Sequence, residues 1–120
     1  MNKKLITEAM AKADGYEETI QRCGILDSGY ELTHASALDY RIEVFGVKIG
    51  SNIAEPLPDY FTDNEIDRMV REMHFKYGPV YWNELQIICE RDSTDIWLAT
   101  AAQKVEAYLK ARGLWTEEME

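Results

Sequence analysis

Residues 99–115 read ATAAQKVEAYLKARGLW, and they carry the start and stop signals of one α-helix in the right order. Thr100 and Gln103 have the spacing of a capping box, in which each side chain bonds the backbone N–H of the other residue. Gly113 suits the left-handed position after a helix, and Leu114 can fold back onto the last turn. The apolar face between these ends consists of Val105, Ala107, Tyr108, Leu109 and Ala111. This stretch predicts a helix with defined ends, and it carries no catalytic signature.

Four other segments are predicted to be helical, and they differ in the signals that support them. The predicted helices are 3–13, 38–45, 63–77 and 80–90. The helix at 63–77 begins with a second capping box, Thr62 with Glu65. For 38–45, alternating apolar residues also suit a strand, but Ser36 as a cap and Gly46 as a stop favour a helix. For the segment 80–90, a strand remains open as an alternative to the helix.

The expected fold is therefore mainly α, with about five helices in one compact domain spanning residues 1–115. The chain of 120 residues is long enough to bury one core. A small sheet of two or three strands, drawn from 16–33 and 44–50, is left open, and an α+β sandwich is the alternative fold. The acidic tail, residues 116–120, is predicted to fray.

The charge balance limits the classes of partner. The chain has 13 basic and 22 acidic residues, a net charge of −9, and its basic residues are scattered. Direct binding of nucleic acid or of an anionic membrane is disfavoured, because both depend on clustered Lys and Arg. Cys23 and Cys89 lack the spacing of a metal or redox motif. The sequence shows no pattern typical of a secretory signal or of a membrane-spanning segment. We expect a soluble, cytoplasmic protein without a cofactor.

Two segments resemble a known group of proteins. PLPDYFTD at 56–63, running into a helix, and ATAAQKVEAYLKARGLW at 99–115 are similar to segments of small phage- and prophage-encoded proteins of unassigned function. The resemblance covers about half of the chain. It implies a bacteriophage accessory protein in the cytoplasm of a bacterial host, and it supplies no catalytic residues to carry over.

The candidate interaction residues combine acidic and aromatic side chains. They are Glu55, Asp59, Tyr60, Asp63, Asp67, Tyr77, Tyr81 and Trp82. Tyr and Trp are enriched at interface hot spots, and a surplus of carboxylates suits a basic partner. Each feature also has a structural interpretation: acids near a helix start offset the helix dipole, and aromatic rings pack over a small core.

The expected function is binding to a host protein, such as a defence or transcription component, and a homodimer is left open. One alternative is sequestration of a small nucleotide signal, which would require Arg41, Arg68 or Arg71 to converge. Another is a small enzyme that uses a metal ion at Asp59 and Asp63. A hydrolase triad of His34, Ser36 and Asp39 is disfavoured, because catalytic partners usually come from separate elements. No catalytic or metal-binding residue is assigned.

Overall fold

The computed structural model describes residues 1–23, 42–73 and 75–120. It divides the chain into two units, a helical unit of Met1–Met10 with Pro58–Glu120, and a strand unit within Ala11–Leu57. The helices are α1 (Lys3–Ala13), α2 (Asp63–Glu72), α3 (Gly78–Arg91) and α4 (Ala101–Ala111), and the strands are β1 (Tyr16–Cys23), β2 (Ile42–Lys48) and β3 (Ala54–Pro56). Short 3-10 turns lie at Phe75–Tyr77, Ile96–Leu98 and Glu117–Met119. The mainly α-helical character was predicted correctly, and the small sheet that the prediction left open is present, but the described residues form four α-helices rather than about five.

The helix predicted at 38–45 is wrong over residues 42–45, which belong to β2. Residues 38–41 lie outside the described part of the chain, as do His34, Ser36 and Asp39. β2 is the middle strand of the sheet and pairs antiparallel with both β1 and β3. Backbone hydrogen bonds on both sides of β2 satisfy it as a strand, and this long-range pairing overrides the local cap signals.

The remaining strands have weak local signals. β1 lies within 16–33, one of the two segments from which a small sheet was left open, and it is eight residues long. β3 is three residues long and lies outside both of those segments. Its backbone pairs with Phe45, Gly46 and Val47 of β2. Such a short edge strand exists because β2 supplies its partners, and not because of its own composition.

Helix α4 forms the centre of the helical unit, where it packs against α3 and α2. The predicted capping box is confirmed, since Thr100 and Gln103 exchange both side chain to backbone bonds. The predicted end is confirmed as well. Gly113 has a φ of 71°. Its N–H donates to the backbone carbonyl of Lys110, and the N–H of Leu114 donates to the backbone carbonyl of Leu109. All five residues of the predicted apolar face are buried.

Helix α2 begins at the predicted residue, but the predicted capping box is wrong. The Thr62 hydroxyl makes no cap bond to the helix. It donates instead to the backbone carbonyl of Asp59 over 2.8 Å. Glu65 pairs with Arg68 at 2.9 Å and does not reach back to the start of the helix. The helix ends at Glu72, earlier than the predicted 77, and a 3-10 turn follows at Phe75–Tyr77.

A buried carboxylate joins α3 to α4. Glu106 is only 5% exposed, and it accepts bonds from two nitrogens of Arg91, at 2.8 and 3.2 Å. Lys110 pairs with the same carboxylate at 2.8 Å. Burial alone would raise the pKa of Glu106, but its bonds from Arg91 and Lys110 outweigh burial and lower the pKa. The ionised carboxylate therefore clamps the two helices together.

The end of α3 repeats the geometry of the end of α4 with a less suitable residue. Ser93 has a φ of 56°, the left-handed region that glycine adopts at little cost. The N–H of Thr94 donates to the backbone carbonyl of Cys89 over 2.8 Å, and the N–H of Ser93 donates to the backbone carbonyl of Glu90 over 3.3 Å. These are the two bonds of a Schellman motif, so Ser93 occupies the position that Gly113 occupies after α4.

Replacing Ser93 with glycine is expected to raise the free energy of unfolding by about 0.5–1 kcal/mol, because glycine relieves the left-handed strain. The reverse change, Gly113→Ser, is the matched control and should lower stability by a similar amount. Urea unfolding of both variants, followed by circular dichroism, measures the two effects. Equal shifts in the same direction would contradict this reading of the two helix ends.

The C-terminal residues, which were expected to fray, contain an ordered turn. Glu117–Met119 form a 3-10 turn, and the side chain of Met119 is buried. The backbone carbonyl of Met119 accepts a bond of 2.9 Å from the N–H of Asn2. Among the described residues, no helix has the length and apolar character needed to cross a bilayer.

Candidate functional site

Two carboxylates of α2 lie on either side of one lysine of α4. Lys104 is 3.4 Å from Asp63 and 3.2 Å from Asp67, measured from Nζ to Oδ1. Burial alone would lower the pKa of Lys104, but its contacts with Asp67 and Asp63 outweigh burial and raise it. The two aspartates remain mostly exposed, whereas Lys104 is largely covered. One lysine therefore pairs with two carboxylates, and these three side chains together retain a net negative charge.

Two of the predicted aromatic residues are neighbours on α3. Burial raises the pKa of the Tyr81 hydroxyl most, and the nearby negative charge of Asp67 raises it further. The ring of Tyr81 meets that of Trp82 edge to face, with the ring centroids 5.2 Å apart. Tyr81 is buried, but Trp82 is 53% exposed. We call Asp63, Asp67 and Trp82, supported by Tyr81, the acidic–aromatic face.

The other predicted interaction residues have different surroundings. Asp59 is exposed, and its carboxylate accepts a bond of 3.1 Å from the N–H of Phe61. Tyr60 is 1% exposed and belongs to the core. Tyr77 lies beneath two cations, Lys76 at 4.9 Å and Arg112 at 5.3 Å from its ring centroid. Glu55 is exposed on β3 in the strand unit.

The structure therefore separates the candidates by what they offer to a partner. Asp59, Asp63, Asp67 and Trp82 present charge or apolar area to solvent. Tyr60 and Tyr81 are buried, so they support the surface from beneath. For these two rings the structural interpretation, packing in the core, accounts for their presence.

Sequence reasoning missed the most exposed aromatic residues of the helical unit. Trp97 is 87% exposed and Leu98 is 75% exposed, both within the 3-10 turn before α4. Phe75, in the turn before α3, is also highly exposed. One signal in the sequence points to this exposure: the apolar triplet Ile96–Leu98 follows the polar segment 91–95, and connecting segments run over the protein surface.

Three of the residues named for the alternative functions, Asp59, Asp63 and Arg68, already have other partners. Asp63, proposed for a metal site, pairs with Lys104, and Asp59 bonds the N–H of Phe61. Within the described ranges, no group of three or more His, Cys, Asp or Glu side chains is arranged to hold a metal ion. Arg68, proposed for a nucleotide site, bridges Glu65 at 2.9 Å and Glu72 at 3.0 Å. Arg41 lies outside the described residues.

Cys89 is the cysteine whose side chain the structure describes. Cys89 is a buried free thiol on α3, and burial is the main cause of its raised pKa. A buried thiol with a raised pKa is a poor nucleophile, because the thiolate is the reactive form. Comparisons of the chain with protein-family models, with curated proteins and with solved structures gave no match.

Proposed function

We propose that this protein is a phage- or prophage-encoded accessory protein that acts by binding a host protein in the bacterial cytoplasm. The candidate partner is a component of host defence or transcription, whose activity the binding would inhibit or modulate. The phage assignment is supported by the resemblance at 56–63 and 99–115. The binding role is supported by the acidic–aromatic face.

One observation carries the binding role: Asp63 and Asp67 present two exposed carboxylates on α2, and Lys104 pairs with both, so one negative charge stays uncompensated. On α3, Trp82 adds an exposed aromatic ring that packs edge to face on Tyr81. Interfaces of high affinity combine an aromatic anchor with charges that select the partner. A net charge of −9 favours a basic partner surface.

Contacts already made by these side chains also favour binding. Lys104 pairs with Asp63 and Asp67, and the buried Tyr81 contacts the Trp82 ring edge to face. Side chains that contacts already restrain lose less conformational entropy when they meet a partner. The arrangement therefore suits a binding surface without requiring any chemical step.

The test is a pull-down from host lysate with the tagged protein, read by mass spectrometry. We expect one basic host protein in stoichiometric amount, with at least a tenfold loss of affinity in Asp63→Lys and in Trp82→Ala. Glu17→Lys is the matched control, since it changes the net charge equally at an exposed position in the strand unit. Circular dichroism confirms that each variant is folded. Unchanged recovery by the two folded variants would refute a role for the acidic–aromatic face.

A further inference from the structure

The loop between α3 and α4 presents two large apolar side chains to solvent. Trp97 and Leu98 are adjacent in the chain, and both are among the most exposed apolar residues described. Tryptophan is the residue most enriched at interface hot spots, and exposed apolar area costs about 25 cal/mol per Å². An exposed pair of this kind gains free energy when a partner covers it.

The loop that carries this pair is braced from both of its ends. On the α3 side, Gln103 of α4 donates bonds of 3.1 Å to the side chains of Asp92 and Thr94. Within the loop, the carboxylate of Asp95 accepts a bond of 3.0 Å from the N–H of Trp97. On the α4 side, the capping box between Thr100 and Gln103 fixes the start of the helix.

Gln103 has a central role, because one side chain bonds three partners on both sides of the exposed turn. Its Oε1 accepts from the N–H of Thr100 over 2.9 Å, while its Nε2 donates to Asp92 and Thr94. The left-handed Ser93 fixes the chain direction where the loop leaves α3. The turn is therefore pre-organised, and little conformational entropy is lost when Trp97 and Leu98 are covered.

Charge indicates what covers them. The stretch 90–98 that contains the pair carries three carboxylates, Glu90, Asp92 and Asp95, and one guanidinium, Arg91, which is engaged by Asp92 and Glu106. A basic surface is attracted to this loop. A second copy of the chain, with its own net charge of −9, and an anionic bilayer are both repelled.

We propose that the braced loop, residues 92–100, is a docking site at which Trp97 and Leu98 enter an apolar pocket of a protein whose rim carries Lys or Arg. This site shares no residue with the acidic–aromatic face. It also does not depend on phage origin, so the two proposals can fail independently.

The test uses a displayed library of random peptides, selected on the folded protein and counter-selected on Trp97→Ala. We expect enriched peptides that combine Lys or Arg with large apolar residues. Their affinity should fall at least tenfold with Trp97→Ala and severalfold with Asp95→Asn, which removes a charge but keeps an oxygen to cap Trp97. Phe75→Ala is the matched control, because it removes a highly exposed ring outside the loop and should leave binding unchanged.

Several results would overturn the docking site. One is enrichment of peptides without basic residues, and another is peptide binding that Trp97→Ala does not weaken. A blue shift of Trp97 fluorescence on neutral or phosphatidylserine-containing vesicles, measured with Trp82→Phe and Trp115→Phe in place, would assign the pair to a membrane. A dimer in sedimentation equilibrium that Trp97→Ala dissolves would assign it to a second copy. Loss of host-protein capture in Asp63→Lys bears only on the acidic–aromatic face.

Discussion

Gly46→Val is expected to lower the free energy of unfolding of the strand unit by about 3 kcal/mol, the upper end of the usual cost of overpacking. A Cβ at position 46 would lie 2.5 Å from Cδ1 of Tyr16 and 2.6 Å from Cδ2 of Leu57. Real Cβ atoms do not approach other heavy atoms so closely, and the Tyr16 ring is itself buried. Glycine is required here by space and not by backbone conformation, because the residue sits within β2.

Urea unfolding and hydrogen exchange of the amides that pair β1 with β2 measure this effect. Glu18→Val is the matched control, since it introduces the same side chain at an exposed position of the neighbouring strand β1. It should change stability by about 0.5 kcal/mol or less. A Gly46→Val variant as stable as the wild type would mean that Tyr16 and Leu57 move aside at no cost.

A double mutant separates the two neighbours of Gly46. Leu57→Ala removes Cδ2 and so relieves one of the two close approaches to a Cβ at position 46. Gly46→Ala should therefore cost less in the Leu57→Ala background than in the wild type. Residues in contact commonly show coupling of about 0.5–3 kcal/mol in such cycles. Strict additivity would contradict a steric conflict with Leu57.

Glu106→Ala is expected to lower the free energy of unfolding by about 2 kcal/mol. Removing one partner of a buried ion pair often costs about 3–5 kcal/mol, but Arg91 is half exposed and can be hydrated again, which reduces the loss. Glu106→Gln should cost less, because the amide oxygen still accepts one bond. Glu90→Ala, at an exposed position on α3, is the matched control and should change stability by about 0.5 kcal/mol or less.

The same carboxylate makes stability depend on pH. The folded-state pKa of Glu106 lies below its ordinary value of 4.5, so the unfolded chain binds its proton more readily. The stabilisation is complete above that ordinary value and is lost as pH falls through the lowered value. The stability difference between wild type and Glu106→Gln should therefore shrink as pH falls below about 4. A constant difference over that range would show that Glu106 is not ionised in the folded protein.

Asp92 extends this dependence to lower pH. Its bonds from Arg91 and then Gln103 lower the pKa of Asp92 to about 2. The sign is the same as for Glu106, because a carboxyl with a lowered folded-state pKa stabilises the fold only while ionised. Acid unfolding should therefore continue below pH 3 in Glu106→Gln, because Asp92 is still being protonated there and the stability that its carboxylate contributes is still being lost.

The sequence by itself determined the elements whose signals lie within a few residues of one another. α4 shows this best, because Thr100 with Gln103 and the position of Gly113 define its two ends locally. α1 was also predicted with its observed limits, and the apolar positions of α3 at Tyr81, Leu85, Ile88 and Cys89 are all buried. Helical hydrogen bonds and side-chain spacing are short-range, so a short window of sequence contains the information that decides them.

For the candidate site, the sequence identified acidic and aromatic residue types but not their exposure. It grouped Tyr60 and Tyr81 with Trp82, although the first two rings are buried and the third is exposed. It assigned Thr62 a capping bond that the structure does not show, and the hydroxyl donates to the Asp59 carbonyl. Exposure depends on which elements cover a side chain, and a single window of sequence does not contain that information.

Only the tertiary structure decided the contacts between residues distant in the chain. β2 is a strand because β1 and β3 satisfy its backbone, whereas its own residues also matched a helix. Lys104 meets Asp63 across 41 positions, and Arg91 meets Glu106 across 15. The free energy of such pairs depends on geometry that folding creates, through burial, distance and local charge. Local hydrogen bonding therefore made the helices predictable, and long-range packing determined the sheet, the ion pairs and the exposed surfaces.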